Sequence, residues 1–287
     1  MKHKISITYA LLGFFFVAQI IGLLLVSISI EVKTTETGEK VVTYKEAAIE
    51  RPDFTPETSF VSIIGAVFIG TLLALLLIKL RWLFVWKMWF FLAVMLTMYV
   101  SLGTLMPRII AFTFALLLAV LKIFKPNIFT QNLSELLIYP GIVIIFFPML
   151  DVFWMFMLLI LISFYDMYAV WKSKHMIKMA KFQSRSKTFA GLYLPYKTEK
   201  KGKEIKTAML GGGDVAFPML FSGVVMSSLV NEGLSKTNAF FETMIISVFV
   251  TIALGFILVK GKPEKYYPAM PFITLGCILG YAVLLLL

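Results

Sequence analysis

Residues 210–218 read LGGGDVAFP: three glycines, an aspartate and a proline near the head of an apolar run that continues to Leu229. Glycine and proline both weaken a helix, and an ionised carboxylate in hydrocarbon costs roughly 3 kcal/mol even on lenient scales. Irregular backbone at membrane depth survives only where it lines a cavity or is buried in protein. Asp214 is therefore expected to face a polar, partly hydrated pocket. Gly211, Gly212 and Gly213 would permit positive φ and close approach of another chain, and Pro218 would remove a further backbone donor.

The surrounding chain makes this a membrane question. Of its 287 residues 60% are hydrophobic and 15% charged, and 27 are phenylalanine, which is the composition of a polytopic membrane protein. The net charge of +11 sits in short links between apolar runs rather than on amphipathic faces, so it reads as membrane topology and not as a nucleic-acid surface. Cys277, the single cysteine, lies within the last apolar run; it supplies no disulfide framework or metal-binding pair and is expected to pack. The first run follows MKHK, is much longer than a signal-peptide core and has no small-residue cleavage site after it, so it is expected to remain as a span.

A bilayer core needs about 20 apolar residues per helix. On that rule the chain divides into nine spans: Ile5–Ile30, Phe60–Ile78, Trp82–Leu105, Ile109–Phe124, Leu133–Leu150, Val152–Trp171, Ala208–Leu229, Ala239–Val259 and Tyr266–Leu287. The fifth and sixth are divided at FFPMLD, residues 146–151, because one helix from Leu136 to Trp171 would be about 54 Å long. The expected fold is thus all-α, a single membrane-embedded unit over residues 1–287. Twenty Lys and Arg residues fall on one side of this plan and six on the other, with Lys87 near a span end. The positive-inside rule then places the N-terminus in the cytoplasm and the C-terminus outside.

Two links are long enough to hold structure. Outside, IEVKTTETGEKVVTYKE alternates about Thr37-Gly38 and predicts a β-hairpin. Inside, residues 172–207 form a basic cytoplasmic loop with eleven Lys and Arg against Glu199 and Glu204, suited to anionic lipid. Within it GLYLPYKTEKKGKEIKTAML predicts a second hairpin turning near Lys201-Gly202.

Few carboxylates lie within spans. Glu135 and Glu242 are near span ends, where each is expected to reach the interface or cap a helix, and Asp151 falls in the outer turn. Asp166 and Asp214 remain. Asp166 is six positions from Lys172 and Asp214 eight from Lys206, so both arrive at similar depth on spans joined by one cytoplasmic link. Two carboxylates in one dry site hold a proton between them. One can then accept a proton from water attacking an amide while the other polarises the carbonyl. A third irregular element, YYPAMPF, opens the last span; a helix start with proline in its first turn explains it equally well.

These residues resemble a known family. Tyr165-Asp166 is similar to the YD motif, Gly211-Gly212-Gly213-Asp214 to the GxGD motif and Pro268-Ala269-Met270-Pro271 to the PAL motif of presenilin and signal peptide peptidase, with methionine where the family usually has leucine. The motifs fall in the family's order in the sixth, seventh and ninth runs, and the resemblance covers essentially the whole chain. With no large N-terminal or loop domain, the chain is similar to the compact archaeal presenilin homologues, which implies an integral multi-pass protein of an archaeal cell membrane. The resemblance implies that Asp166 and Asp214 are catalytic and that Tyr165, Leu210, the three glycines and Pro268–Pro271 shape the site and bind substrate. It implies transmembrane helical substrates in the bilayer, and no metal, cofactor or nucleic acid. Nothing in the sequence requires an accessory subunit.

Other uses of two intramembrane aspartates stay open. In a proton-coupled transporter they would be relay groups and the glycines a broken helix at the substrate site, but the inverted repeats expected of such a protein are not visible. Prepilin peptidases also carry a GxGD aspartate, yet the nine-run plan and the proline motif fit them poorly. A scaffold of membrane helices would make the pair dispensable. The only histidines, His3 and His175, lie in charged links, which leaves no zinc pair or serine–histidine dyad in a span.

Overall fold

Long uninterrupted apolar runs satisfy their backbone groups internally by forming helices, and the helices bounded by these runs dominate the structure. A computed structural model describes residues 5–34, 40–45, 54–173, 175–186, 188–197, 205–261 and 267–287. In chain order the elements are α1 (Ile5–Ser29), β1 (Ile30–Thr34), β2 (Lys40–Tyr44), α2 (Pro56–Leu80), α3 (Leu83–Gly103), α4 (Arg108–Phe124), α5 (Ile128–Phe146) and α6 (Val152–Met167). There follow α7 (His175–Ser186), β3 (Gly191–Lys197), β4 (Ile205–Gly211), α8 (Gly212–Asn231), α9 (Lys236–Lys260) and α10 (Met270–Leu284).

The chain is a mostly helical polytopic membrane protein. Among the described residues each of the nine apolar runs contains one helix, and seven helices are long and apolar enough to cross a membrane by length and composition. Of the others, α4 has 17 residues and α10 has 15. The break between α5 and α6 falls where Pro148 and Asp151 stand together: a short 3-10 turn, Phe147–Met149, is followed by Asp151, whose side chain accepts from the Trp154 N–H at 2.7 Å. Both expected hairpins are present as antiparallel pairs, from Ile30↔Tyr44 to Thr34↔Lys40 and from Gly191↔Gly211 to Lys197↔Ile205. Their turns, at 37–38 and 201–202, lie outside the described residues.

The link 172–207 also holds a helix, α7, whose Phe182 ring packs edge-on against buried Trp86 with centroids 5.5 Å apart. Two expectations are corrected. The seventh run does not begin as a helix: residues 208–211 are strand, because backbone pairing with β3 continues to Gly211 and Gly212 is the first helical residue. Glu135 reaches no interface. It is buried on α5, with Lys122 of α4 against it at 2.6 Å, so the charge is met by a partner instead of water.

The packing centres on α8. In its most apolar stretch 67% of residues are buried, against 6% for α2 at the periphery. α1 runs parallel to α8, with Gln19 beside Val215, Gly22 under Met219 and Val26 beside Gly223. Close approach without a side chain also sets α10 on α9: a Cβ at Gly276 would stand 2.9 Å from Val250 Cα, and one at Gly280 2.7 Å from Ile246 Cα.

Candidate active site

The junction of β4 and α8 delivers Asp214. Opposite Met209 in the hairpin, Tyr193 turns its backbone N–H and C=O outward, where both bond the Asn132 side chain of α5 at 2.9 and 2.8 Å. In an antiparallel pair, residues directly opposite each other share this orientation and neighbours alternate. Thr207 and Met209 therefore point their backbone groups away from β3, while Ala208 and Leu210 point theirs toward it. Pro195, which has no N–H, stands opposite Thr207, where none is required. The Gly212 N–H donates to Ala190 O at 3.1 Å and closes the ladder as the helix begins.

Asp214 then sits in the first turn of α8, where a carboxylate is favoured by the helix N-terminus. The glycines do not take positive φ as expected: Gly211 is extended at φ −64, and among the described glycines only Gly233 is positive. Their contribution is space. A Cβ on Gly211 would be 3.2 Å from Asp214 Oδ2, and one on Gly212 would be 3.1 Å from the Tyr139 ring and 3.3 Å from Ala190 O. Gly213 is exposed, and a Cβ there would meet only the Phe217 ring, at 3.7 Å.

Asp166 lies one residue from the end of α6 and is 4% exposed. Its Oδ2 accepts from the Met270 N–H, the first residue of α10, at 3.1 Å. Pro271, next in the helix, has no N–H to offer. One turn along, Ser163 and Thr274 hydroxyls are 2.8 Å apart and tie the same two helices. Asp166 Oδ1 has no partner among the described residues. Thus Pro268–Pro271 is a helix start, and that start is bonded to the aspartate.

Tyr165 faces the other way. Its hydroxyl lies 3.0 Å from Thr71 Oγ1 on α2 and 3.0 Å from His175 Nε2 on α7. His175 Nδ1 is in turn 2.5 Å from Ser173 Oγ. Burial holds the His175 imidazole below its usual range, which favours the neutral ring.

A cluster of Phe156, Phe221 and Tyr281 joins α6, α8 and α10, with ring centroids 4.8, 5.4 and 5.9 Å apart. From it, Asp166 is about 15 Å along α6, Asp214 about 10 Å back along α8 and Met270 about 16 Å back along α10, at 1.5 Å per residue. All three lie to the same side of the cluster.

Reading from sequence missed Thr71, His175, Gln19, Gln131 and Tyr139. His175 carried a signal, ten residues beyond Tyr165 across a helix end. Thr71, Gln19 and Tyr139 are isolated polar residues in apolar runs and Gln131 is one of several polar residues ahead of the fifth run, and only tertiary contact distinguishes them.

Comparison with known proteins gives the class and the family. Residues 12–287 match the model of the family described as signal-peptide peptidase, presenilin aspartyl protease. The chain belongs to that family. Among solved structures it is similar to a presenilin family intramembrane aspartate protease in two crystal forms. The first is 19% identical with a TM-score of 0.59, over 96% of this chain and 99% of the other; the second is 18% identical with the same score, over 100% and 98%. No curated protein sequence matches.

Proposed function

We propose that this chain is an intramembrane aspartyl endopeptidase of the GxGD type, with nine spans, a cytoplasmic N-terminus and an external C-terminus. Asp166 and Asp214 act together on water to hydrolyse a peptide bond within the transmembrane segment of a substrate protein in the cell membrane. The observation that carries this reading is the 3.1 Å bond from the Met270 amide to Asp166, which joins the Tyr165-Asp166 and Pro268–Pro271 motifs into one place. The common depth of Asp214 beneath the aromatic cluster supports it.

The chemistry needs one ionised and one protonated carboxyl. The first takes a proton from water as the oxygen attacks the carbonyl carbon, and the second gives its proton to the carbonyl oxygen. When the resulting diol collapses, the C–N bond breaks, the nitrogen receives the proton taken from water, and a diol hydroxyl returns a proton to the other carboxyl. The pair ends with the single proton it began with.

A helical substrate must unwind to present its amide, and each exposed backbone group is costly in an apolar setting. The outward N–H and C=O groups of Thr207 and Met209, which no other described strand pairs, supply an edge for it. Pro268–Pro271 would close the opposite side.

The test is cleavage of synthetic transmembrane peptides by purified protein in detergent, with products located by mass spectrometry. Asp166→Asn and Asp214→Asn should each abolish cleavage at nearly unchanged thermal stability. Substantial cleavage by both single variants would remove the assignment.

A further inference from the structure

Two glutamines that the proposed chemistry does not use are buried on either side of Asp214. Gln19, on α1, is 0% exposed, and its Nε2 donates to Val215 O, the residue after Asp214, at 2.9 Å. Its Oε1 has no partner among the described residues. Gln131, on α5, is also buried, and its Nε2 donates to Phe189 O at 2.9 Å and Gly191 O at 3.0 Å, sharing its two N–H groups with Glu135 Oε1 at 3.0 Å. Its own Oε1 accepts from Lys122 Nζ at 3.0 Å.

The carbonyls held by Gln131 flank Ala190, whose oxygen receives the Gly212 N–H, and Gly191 stands opposite Gly211. Gln131 thus fixes the strand to which residues 211–212 are bonded. Gln19 grips the backbone on the far side of the aspartate. Between them the first turn of α8 is weakened, since Pro218 cannot donate to the carbonyl of Asp214. Burying an amide with an unmatched oxygen is destabilising, and an apolar side chain at Gln19 would avoid that cost. A retained cost of this kind belongs to a site that must be held in place.

We propose that Gln19 and Gln131 are positioning residues that bracket Asp214, holding its backbone from the α1 and α5 sides so that the carboxylate keeps its place during peptide hydrolysis. This rests on the aspartyl protease reading above. Neither side chain enters the chemistry; each acts through the backbone.

The experiment uses the full chain in detergent with a transmembrane peptide substrate. Gln19→Met removes the donor to Val215. Gln131→Met keeps the approximate size and the Lys122–Glu135 pair while losing the donors to Phe189 and Gly191. Each is expected to lower kcat by roughly tenfold to a hundredfold, with KM and melting temperature near those of the parent. Gln19→Glu, whose neutral carboxyl can donate the same bond, should recover most of the rate at the acidic end of the pH range. Hydrogen exchange should quicken in peptides spanning 205–219 and not in α9 or α10. Parent-like kcat in both donor-removing variants, or a loss confined to KM, overturns the proposal. If either of these variants fails to fold, exchange and kcat in the other decide. Asp166→Asn and Asp214→Asn are run alongside. Inactive aspartate variants with normal glutamine variants sink the bracket alone, whereas active aspartate variants sink the protease reading, and the exchange data still report whether the backbone is held.

Discussion

Lys122 Nζ lies 2.6 Å from Glu135 Oε1 in a place where neither side chain reaches the surface. A buried charge that loses its partner is far more costly than a buried pair removed together. Lys122→Met is therefore expected to destabilise the protein by about 3–5 kcal/mol, while Lys122→Met with Glu135→Gln, which keeps an acceptor for Gln131, recovers most of the loss. Thermal unfolding of the three proteins in one detergent checks this. Equal melting temperatures for the single and double variants would contradict it.

Gly211 and Gly213 should separate in function. A Cβ at Gly211 crowds the Asp214 carboxylate, so Gly211→Ala should cut kcat by about tenfold, ~1.4 kcal/mol in the barrier, with little change in melting temperature. Gly213→Ala meets only ordinary contact and should leave melting temperature unchanged. Steady-state cleavage and thermal unfolding of each variant provide the comparison.

His175 links stability to pH. Its pKa in the folded protein is below the ordinary value near 6.5, so in the interval between the two the unfolded chain binds more protons. This contribution is fully present above about pH 6.5 and is lost as pH falls through the folded value. Melting temperature between pH 7.5 and 5 should drop less steeply in His175→Gln than in the parent. Identical slopes would show that the imidazole is not shielded.

The hairpin makes a directional prediction. Proline at Thr207 or Met209 removes an N–H from the outward edge of β4 and leaves the bonds to β3, so each variant should fold and cleave poorly, whereas alanine there should be mild. Proline at Ala208 removes a donor to β3 and should loosen the hairpin itself. Normal cleavage by folded Thr207→Pro and Met209→Pro would exclude strand addition at this edge.

The two aspartates should behave as a unit. The Asp166→Asn, Asp214→Asn double variant is expected to be no worse than either single variant. Cleavage by the parent should pass through a maximum with pH and fall on both sides. A flat profile with chemistry rate-limiting would count against a shared proton.

Much of this was legible in the sequence because hydrocarbon is an exacting solvent. Apolar length marked the helices, and the cost of a buried carboxylate singled out Asp166 and Asp214 before any contact was known. The same reasoning misplaced Glu135. Lys122 and Glu135 stand near the ends of different runs, where hydropathy offers the interface as a home for each, and only packing of α4 on α5 reveals that they meet. Residues 208–210, Ala-Met-Leu, are apolar enough to pass for the start of a span; three residues are too few for periodicity to tell strand from helix. In α7 the apolar residues are scattered among lysines, and Phe182 shows its use only against Trp86.

The alternation along β4 has a consequence for the pattern of products. A strand laid on the edge at Thr207 and Met209 that slips by one residue must turn over, exchanging its two faces, while a slip of two keeps them. Successive bonds of one substrate therefore fall into two phases, odd and even. Under the proposed strand addition, cuts within a phase would be spaced by even numbers of residues, and the side chains flanking the scissile bond would select the phase before the carbonyl reached the proposed aspartate pair.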